Sequence, residues 1–235
     1  SESPPFPKAK RDYQGLELTF QKRYSNKWGL FGSYTISRLY GNYSGLASSD
    51  EDGRVSPNVN RFFDGIAMLY DRNAKLVYGR LGTDRPNQFK GQFLYGFDWN
   101  MIIGLNQYIG QGIPITEEGS VLLVPFMPYG RGNLGRTPLL TSTDLSVMQS
   151  FDLGDRVKVQ IGATILNLFD QDTVTRRYNN RMVGDLPLDD REFFGGGWDY
   201  EALLRADPTL LDVKFNQPDQ YQVPRSIRLT AKFTF

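Results

Sequence analysis

Residues 222–235 read QVPRSIRLTAKFTF. Counted back from the last residue, every second position is apolar: Phe235, Phe233, Ala231, Leu229 and Ile227. The positions between them, Thr234, Lys232, Thr230, Arg228 and Ser226, are polar or basic. Successive side chains of a β-strand point to opposite faces, so this stretch predicts a strand with one apolar and one wet side. Two environments suit such a strand. A soluble sheet turns the apolar face to a protein core. A membrane-spanning barrel turns it to lipid and lines a wet lumen with the polar face.

The same period of two recurs upstream. From about Tyr13 to Tyr24, Leu16, Leu18 and Phe20 alternate with Glu17, Thr19 and Gln21. From Trp28, the set Trp28, Leu30, Gly32, Tyr34 and Ile36 opposes Gly29, Phe31, Ser33, Thr35 and Ser37. A third strand carries Phe89, Phe93, Tyr95, Phe97 and Trp99 against Lys90, Gln92 and Asp98. A fourth, from Ile102 to Ile113, has its alternation blurred by Gly104, Gly110 and Gly112. A fifth sets Leu145, Val147 and Phe151 against Asp144, Ser146 and Ser150. In the sixth, Val157, Val159, Ile161, Ala163 and Ile165 oppose Lys158, Gln160, Gly162 and Thr164. The seventh is the stretch quoted above.

The connections alternate between tight turns and long polar segments, the latter at about 41–86, 116–138 and 171–220. A soluble sandwich has no reason to keep that rhythm. An outer-membrane barrel does, because its periplasmic turns are short and its extracellular loops long. Trp28, Trp99, Phe151, Phe233 and Phe235 fall at the short-turn ends, where an aromatic girdle belongs. The expected fold class is therefore all-β: an antiparallel transmembrane barrel segment with long outer loops. Seven strands are too few and too odd a number to close such a barrel, so a fragment of a larger barrel is expected. Residues 1–12 then read as the end of an extracellular loop, and residues 13–235 as the barrel portion.

Composition narrows the chemistry. The chain contains no His and no Cys. That removes Ser-His-Asp and Cys-His nucleophiles, His-based zinc sites, thiolate ligands and disulfides. The net charge of +1 supplies no strong field to recruit nucleic acid or anionic lipid. No run of 18 apolar residues is present, so no transmembrane helix is expected; a β-barrel needs none. The opening SESPPFPKAK lacks the apolar core of a signal peptide.

Several stretches carry a resemblance. RLYGNYSGLASSDEDGR (38–54), YGRLGTDRPNQFK (78–90), GRGNLGRTP (130–138), ILNLFDQDTVTRRYNN (165–180) and QVPRSIRLTAKFTF (222–235) resemble, in that order, the C-terminal barrel of Oar-like TonB-dependent outer-membrane receptors. The resemblance implies about the last seven strands of a 22-stranded, plugged barrel. It implies an integral outer-membrane protein that binds and moves a substrate and performs no catalysis. Its implied partners are outer-membrane lipid and lipopolysaccharide, an N-terminal plug and the remaining strands upstream, the TonB system acting through that N-terminal part, and the barrel-assembly machinery. Phe235 resembles the terminal signal read by that machinery. No catalytic residue, cofactor or metal site is expected. The alternative function is a structural or adhesive surface protein, in a split or partnered barrel that transports nothing. A soluble carbohydrate-binding or hydrolytic β-domain is a third reading, and it requires a covered apolar face.

Individual residues follow from the barrel reading. Lys90, Gln92, Lys158, Gln160, Arg228 and Lys232 would line the lumen. Phe93, Tyr95, Val159, Ile161, Leu229 and Phe233 would face lipid. Asp50, Glu51 and Asp52 lack the rest of a calcium loop, because Arg61 stands where an EF-hand needs Glu. Asp84 and Arg85 read as a staple between loop and rim. Arg131, Arg136, Arg176, Arg177 and Arg181 make the loops locally basic and could contact lipopolysaccharide phosphates or an anionic ligand. Asp189, Asp190, Glu192 and Asp199 offer paired carboxylates but no buried setting to tune them. Trp198 to Arg205 reads as a short helix ended by Asp207-Pro208.

Overall fold

A computed structural model describes residues 6–43, 66–154 and 157–235. Its strands are β1 (Arg11–Ser25), β2 (Trp28–Gly41), β3 (Gly79–Arg80), β4 (Asn87–Gly96), β5 (Met101–Gly110), β6 (Gly119–Val121), β7 (Val124–Phe126), β8 (Leu140–Asp152), β9 (Lys158–Leu166), β10 (Val174–Arg177), β11 (Pro218–Tyr221) and β12 (Ser226–Thr234). Two short helices, α1 (Asp190–Gly195) and α2 (Tyr200–Ala206), lie between β10 and β11.

Seven long strands form one antiparallel sheet in the order β1-β2-β4-β5-β8-β9-β12. Each is joined to its neighbour by hydrogen bonds, and β1 and β12 are the two edges. The sheet is open, and among the described residues no closed barrel is formed. All seven strands expected from the alternation are present. Boundaries differ modestly: β5 stops at Gly110 rather than Ile113, and β8 begins at Leu140.

The tight turns have the residues their geometry needs. Asn26 and Lys27 both take positive φ, 50° and 70°, between β1 and β2. Such a two-residue turn matches the strand twist, and Asn tolerates the left-handed region. Asn100 (φ 60°) serves β4–β5 and Gly154 (φ 81°) serves β8–β9. These three turns lie at one end of the sheet, and the three long connections leave from the other.

Register carries the faces across the whole sheet. Ile227, Ile165, Leu145, Leu105, Phe93 and Leu30 form one continuous row. Leu229, Ala163, Val147, Ile103, Tyr95 and Trp28 form the next. Nothing among the described residues covers this face: Ile161 is 54% exposed and Leu229 79%.

The packed core lies elsewhere, in the connections. Ala67, Leu69 and Tyr70 from the first long segment meet Val121 and Phe126 from the second. Met182, Leu186, Phe193, Tyr200 and Leu204 come from the third. Phe126 is fully buried, with the rings of Phe193 and Tyr200 edge-on at 5.2 and 5.7 Å. Segments read from sequence as polar loops therefore fold together into a cap with its own core. The cap contains the hairpin β6–β7, the ribbon β10–β11 and both helices.

Candidate functional site

The functional surface has two parts: the two faces of the sheet, and the cap at its long-connection end. On the polar face, Lys90 stands opposite Ser33 and Tyr108, and Gln92 opposite Phe31 and Asn106. Lys158 stands opposite Asp152 and Thr234, Gln160 opposite Ser150 and Lys232, and Arg228 opposite Thr164. Gln160 Nε2 donates to Ser150 Oγ at 3.0 Å, and Lys158 Nζ lies 3.6 Å from Asp152. These six residues share a face but make two groups, with β5 and β8 between them. Phe93, Tyr95, Val159, Ile161, Leu229 and Phe233 all lie on the opposite, apolar face. Phe235 follows the end of β12 and is fully exposed.

The polar face is not uniformly polar. Phe31, Leu94, Ile102 and Met148 project from it and are exposed. A depression of about 160 Å³ lies beside Ile102, Met148 and Gly162. On the neighbouring strand, a Cβ at Gly104 would sit 2.5 Å from Ser146 Oγ.

In the cap, the basic residues are consumed by internal partners, which corrects their reading as a surface for phosphates. Arg136 pairs with Asp84, and its Nη1 also donates to the Asp84 and Gly112 carbonyls, both at 2.8 Å. Asp84 is buried and accepts the Leu39 amide at 2.7 Å. The staple to the rim exists, but its cation is Arg136 from the second connection. Arg85 instead donates to the Gln111 carbonyl at 2.8 Å. Arg176 pairs with Asp219, Arg177 donates to the Asn216 carbonyl at 2.6 Å, and Arg131 reaches the Asn42 carbonyl at 3.5 Å.

Arg181 organises the densest network. It grips Glu201 with both nitrogens, at 2.7 and 2.9 Å, and Glu117 at 3.0 Å. Burial acts to lower the Arg181 pKa, but the hydrogen bonds to Glu201 and then Glu117 outweigh it and raise it. Arg181, and less strongly the Tyr129 hydroxyl, hold the Glu201 carboxyl below its usual range. Tyr200 is pushed up, first by burial and then by the Glu117 charge. The guanidinium thus locks the third connection to the second.

The carboxylates that sequence paired have local roles. Asp189 caps α1 by accepting the Glu192 amide at 2.8 Å, and Glu192 returns to the Asp189 amide at 2.9 Å. This reciprocal pair satisfies two donors of the helix start. Asp199 caps α2 by accepting the Glu201 and Ala202 amides. The short helix expected over Trp198 to Arg205 is α2, with Leu204 in the core. Within ILNLFDQDTVTRRYNN, the stretch Asn167 to Asp170 turns the chain out of the sheet. Asn167, at φ 51°, ends β9 and donates to the Gln171 and Val223 carbonyls at 2.8 and 3.0 Å. It ties the exit of β9 to the entry of β12. Asp50, Glu51, Asp52 and Arg61 lie outside the described residues.

With this geometry in place, the chain can be set beside known proteins. No family model matches it, and no solved structure matches it. It is 28% identical, over an alignment of 249 positions, to the TonB-dependent transporter Oar of Myxococcus xanthus. The alignment covers 98% of this chain and 23% of that protein, so the chain spans about a quarter of the relative's length.

Proposed function

We propose that this chain is part of the wall and outer cap of a TonB-dependent outer-membrane receptor that binds and moves a substrate across the outer membrane. The observation that carries the reading is the apolar face running uncovered across seven strands. A soluble protein exposes no contiguous apolar surface of that extent without a partner to cover it. The strands also have the required reach. Ten residues at roughly 3.4 Å each, tilted by about 45°, span roughly 24 Å, close to the ~25 Å apolar band of such barrels. Both edges of the sheet are open, and open edges in lipid leave backbone groups unpaired. Further strands of the full-length polypeptide would close the sheet, to 22 in all.

In this reading residues 13–235 are the barrel portion, with residues 1–12 ending an outer loop. Phe93, Tyr95, Val159, Ile161, Leu229 and Phe233 face lipid. Lys90, Gln92, Lys158, Gln160, Arg228 and Lys232 face the lumen, where they hydrogen-bond a plug from upstream. Energy comes from the TonB system through that upstream part, and Phe235 serves barrel assembly. No step of bond chemistry is assigned. The cap shapes the entrance.

The test compares cells that make the full-length polypeptide with and without a working TonB system. Transport predicts that at least one compound is depleted from the medium only when both are present. Identical depletion profiles in the two strains would favour the structural alternative.

A further inference from the structure

The polar face carries an apolar island well inside the sheet. Ile102 and Met148 stand opposite each other on β5 and β8, 47% and 39% exposed. A wet lumen wall is ordinarily polar and gains nothing from two such side chains in water. The row runs on from Met148 to Gly162 on β9 and Thr230 on β12. Gly162 puts no side chain in its way, and a Cβ there would meet the Met148 methyl at 3.5 Å. Met148 therefore leans over the glycine.

The depression of about 160 Å³ follows this row, with Ser146 and Thr164 along its side. Val147 and Ala163 also border it. Their side chains belong to the opposite face, so the backbone forms the floor there. A cavity of roughly 150 Å³ holds one benzene ring, so the space suits a single ring. Methionine sulfur favours aromatic neighbours and adapts its shape to them.

The row ends between two cations. Arg228 and Lys232 stand two residues to either side of Thr230 and share its face. Lys158 has Asp152 beside it. Among the described residues no carboxylate pairs with Arg228 or Lys232. A further strand at the β12 edge would pair in the plane of the sheet and leave both side chains on their face. From Met148 to Thr230 is two strand spacings, roughly 10 Å.

We infer that this row is a station on the lumen wall for a small aromatic carboxylate, its ring beside Ile102 and Met148 and its carboxylate between Arg228 and Lys232. The occupant follows from the two ends of the row. A bare inorganic anion has no use for the apolar wall, and a neutral aromatic has none for the cations. A guanidinium has five donors, so Arg228 can hold a carboxylate and still hydrogen-bond a plug. The inference rests on the reading of the polar face as a lumen, and it narrows that reading to a class of substrate.

The test is equilibrium dialysis of the full-length polypeptide in detergent against 3-phenylpropionate, with protein-free detergent as the blank. One equivalent should bind saturably. Arg228→Gln and Lys232→Gln should each weaken binding about tenfold, and together about a hundredfold, as loss of one and two charge-assisted hydrogen bonds. Met148→Gln should weaken it about fivefold through loss of apolar contact. Arg191→Gln, on exposed α1, should leave it unchanged. 3-Phenylpropanol should bind no better to the wild type than 3-phenylpropionate does to the double variant, and equimolar acetate should not displace the acid. Undiminished binding by the double variant, equal binding of the alcohol, or displacement by acetate would overturn the inference. Absence of saturable binding by the wild type would overturn it too, and would give the depression to another part of the polypeptide. A spin label at Ser142→Cys, on the same face, separates the two levels. Aqueous access at the label without ligand binding defeats only the station, whereas lipid access defeats the lumen reading and this inference with it.

Discussion

Leu105 and Asn106 are neighbours in the middle of β5, the middle strand by position in the sheet order, and they face opposite ways. Leu105 lies between Phe93 and Leu145 in one of the two apolar rows, 36% exposed. Asn106 lies between Gln92 and Asp144. Arginine at each position is therefore a matched pair differing only in face. Leu105→Arg puts a cation near the bilayer midplane, at a cost of about 2–4 kcal/mol. That is roughly 30- to 700-fold in the folding equilibrium, at ~1.4 kcal/mol per factor of ten. Asn106→Arg sets the cation opposite Asp144, and an opposite-charge cross-strand pair returns roughly 0.2–1 kcal/mol, so the net change is close to zero. The assay is denaturant unfolding of the polypeptide in lipid vesicles, followed by tryptophan fluorescence. Equal losses at the two positions, or a Leu105→Arg change within about 0.5 kcal/mol of wild type as at an ordinary wet surface, would refute the reasoning. Thr164 is a poorer comparison site, because it stands opposite Arg228 and an arginine there meets a like charge.

Three further outcomes are expected. Phe126→Ala should destabilise the cap by about 3–5 kcal/mol, speeding hydrogen exchange in β6, β7 and α2 while the amides of β4 and β5 stay protected. Arg136→Met leaves the buried Asp84 carboxylate without its cation and should cost about 3–5 kcal/mol; faster exchange of the Leu39 amide, which donates to Asp84, reports it. Glu201 has a folded pKa below its unfolded value, so its contribution is present above about 4.3, the ordinary Glu value, and is lost as pH falls through the lower folded one. Proteolytic sensitivity of the third connection should rise below that point in the wild type, and Glu201→Gln should flatten the acid dependence.

The sheet was legible because its signal is local. Alternation over nine or more residues fixes both a strand and its faces, and Leu229 or Lys232 can be assigned from the two residues on either side. Even the blurred strand β5 was placed, since Ile103 and Leu105 preserve the period around Gly104. The cap was not legible, for a physical reason. Its core joins Leu69, Phe126 and Phe193, which lie far apart along the chain and follow no period of their own. Arg136 and Asp84 are 52 residues apart, and Arg181 and Glu117 are 64 apart. Nothing near either arginine in sequence announces its partner. One signal was present: Asp189, then Glu192 three residues on, ahead of Phe193 and Phe194, is the pattern of a capped helix start. Counting carboxylates as a catalytic pair obscures it. The depression on the polar face was hidden differently. Met148 and Thr230 look unrelated until register sets them on either side of Gly162.

The most direct test of the account is a spin-label scan along β5. The chain contains no Cys, so each single substitution from position 101 to 110 adds the only thiol in this segment. With the full-length polypeptide in vesicles, collision with oxygen, enriched in lipid, is measured against collision with a water-soluble nickel complex. The account predicts alternation with a period of two, with 103, 105 and 109 favouring oxygen and 104, 106 and 108 favouring the nickel complex. Equal aqueous access at both sets of positions would contradict a lipid-facing wall.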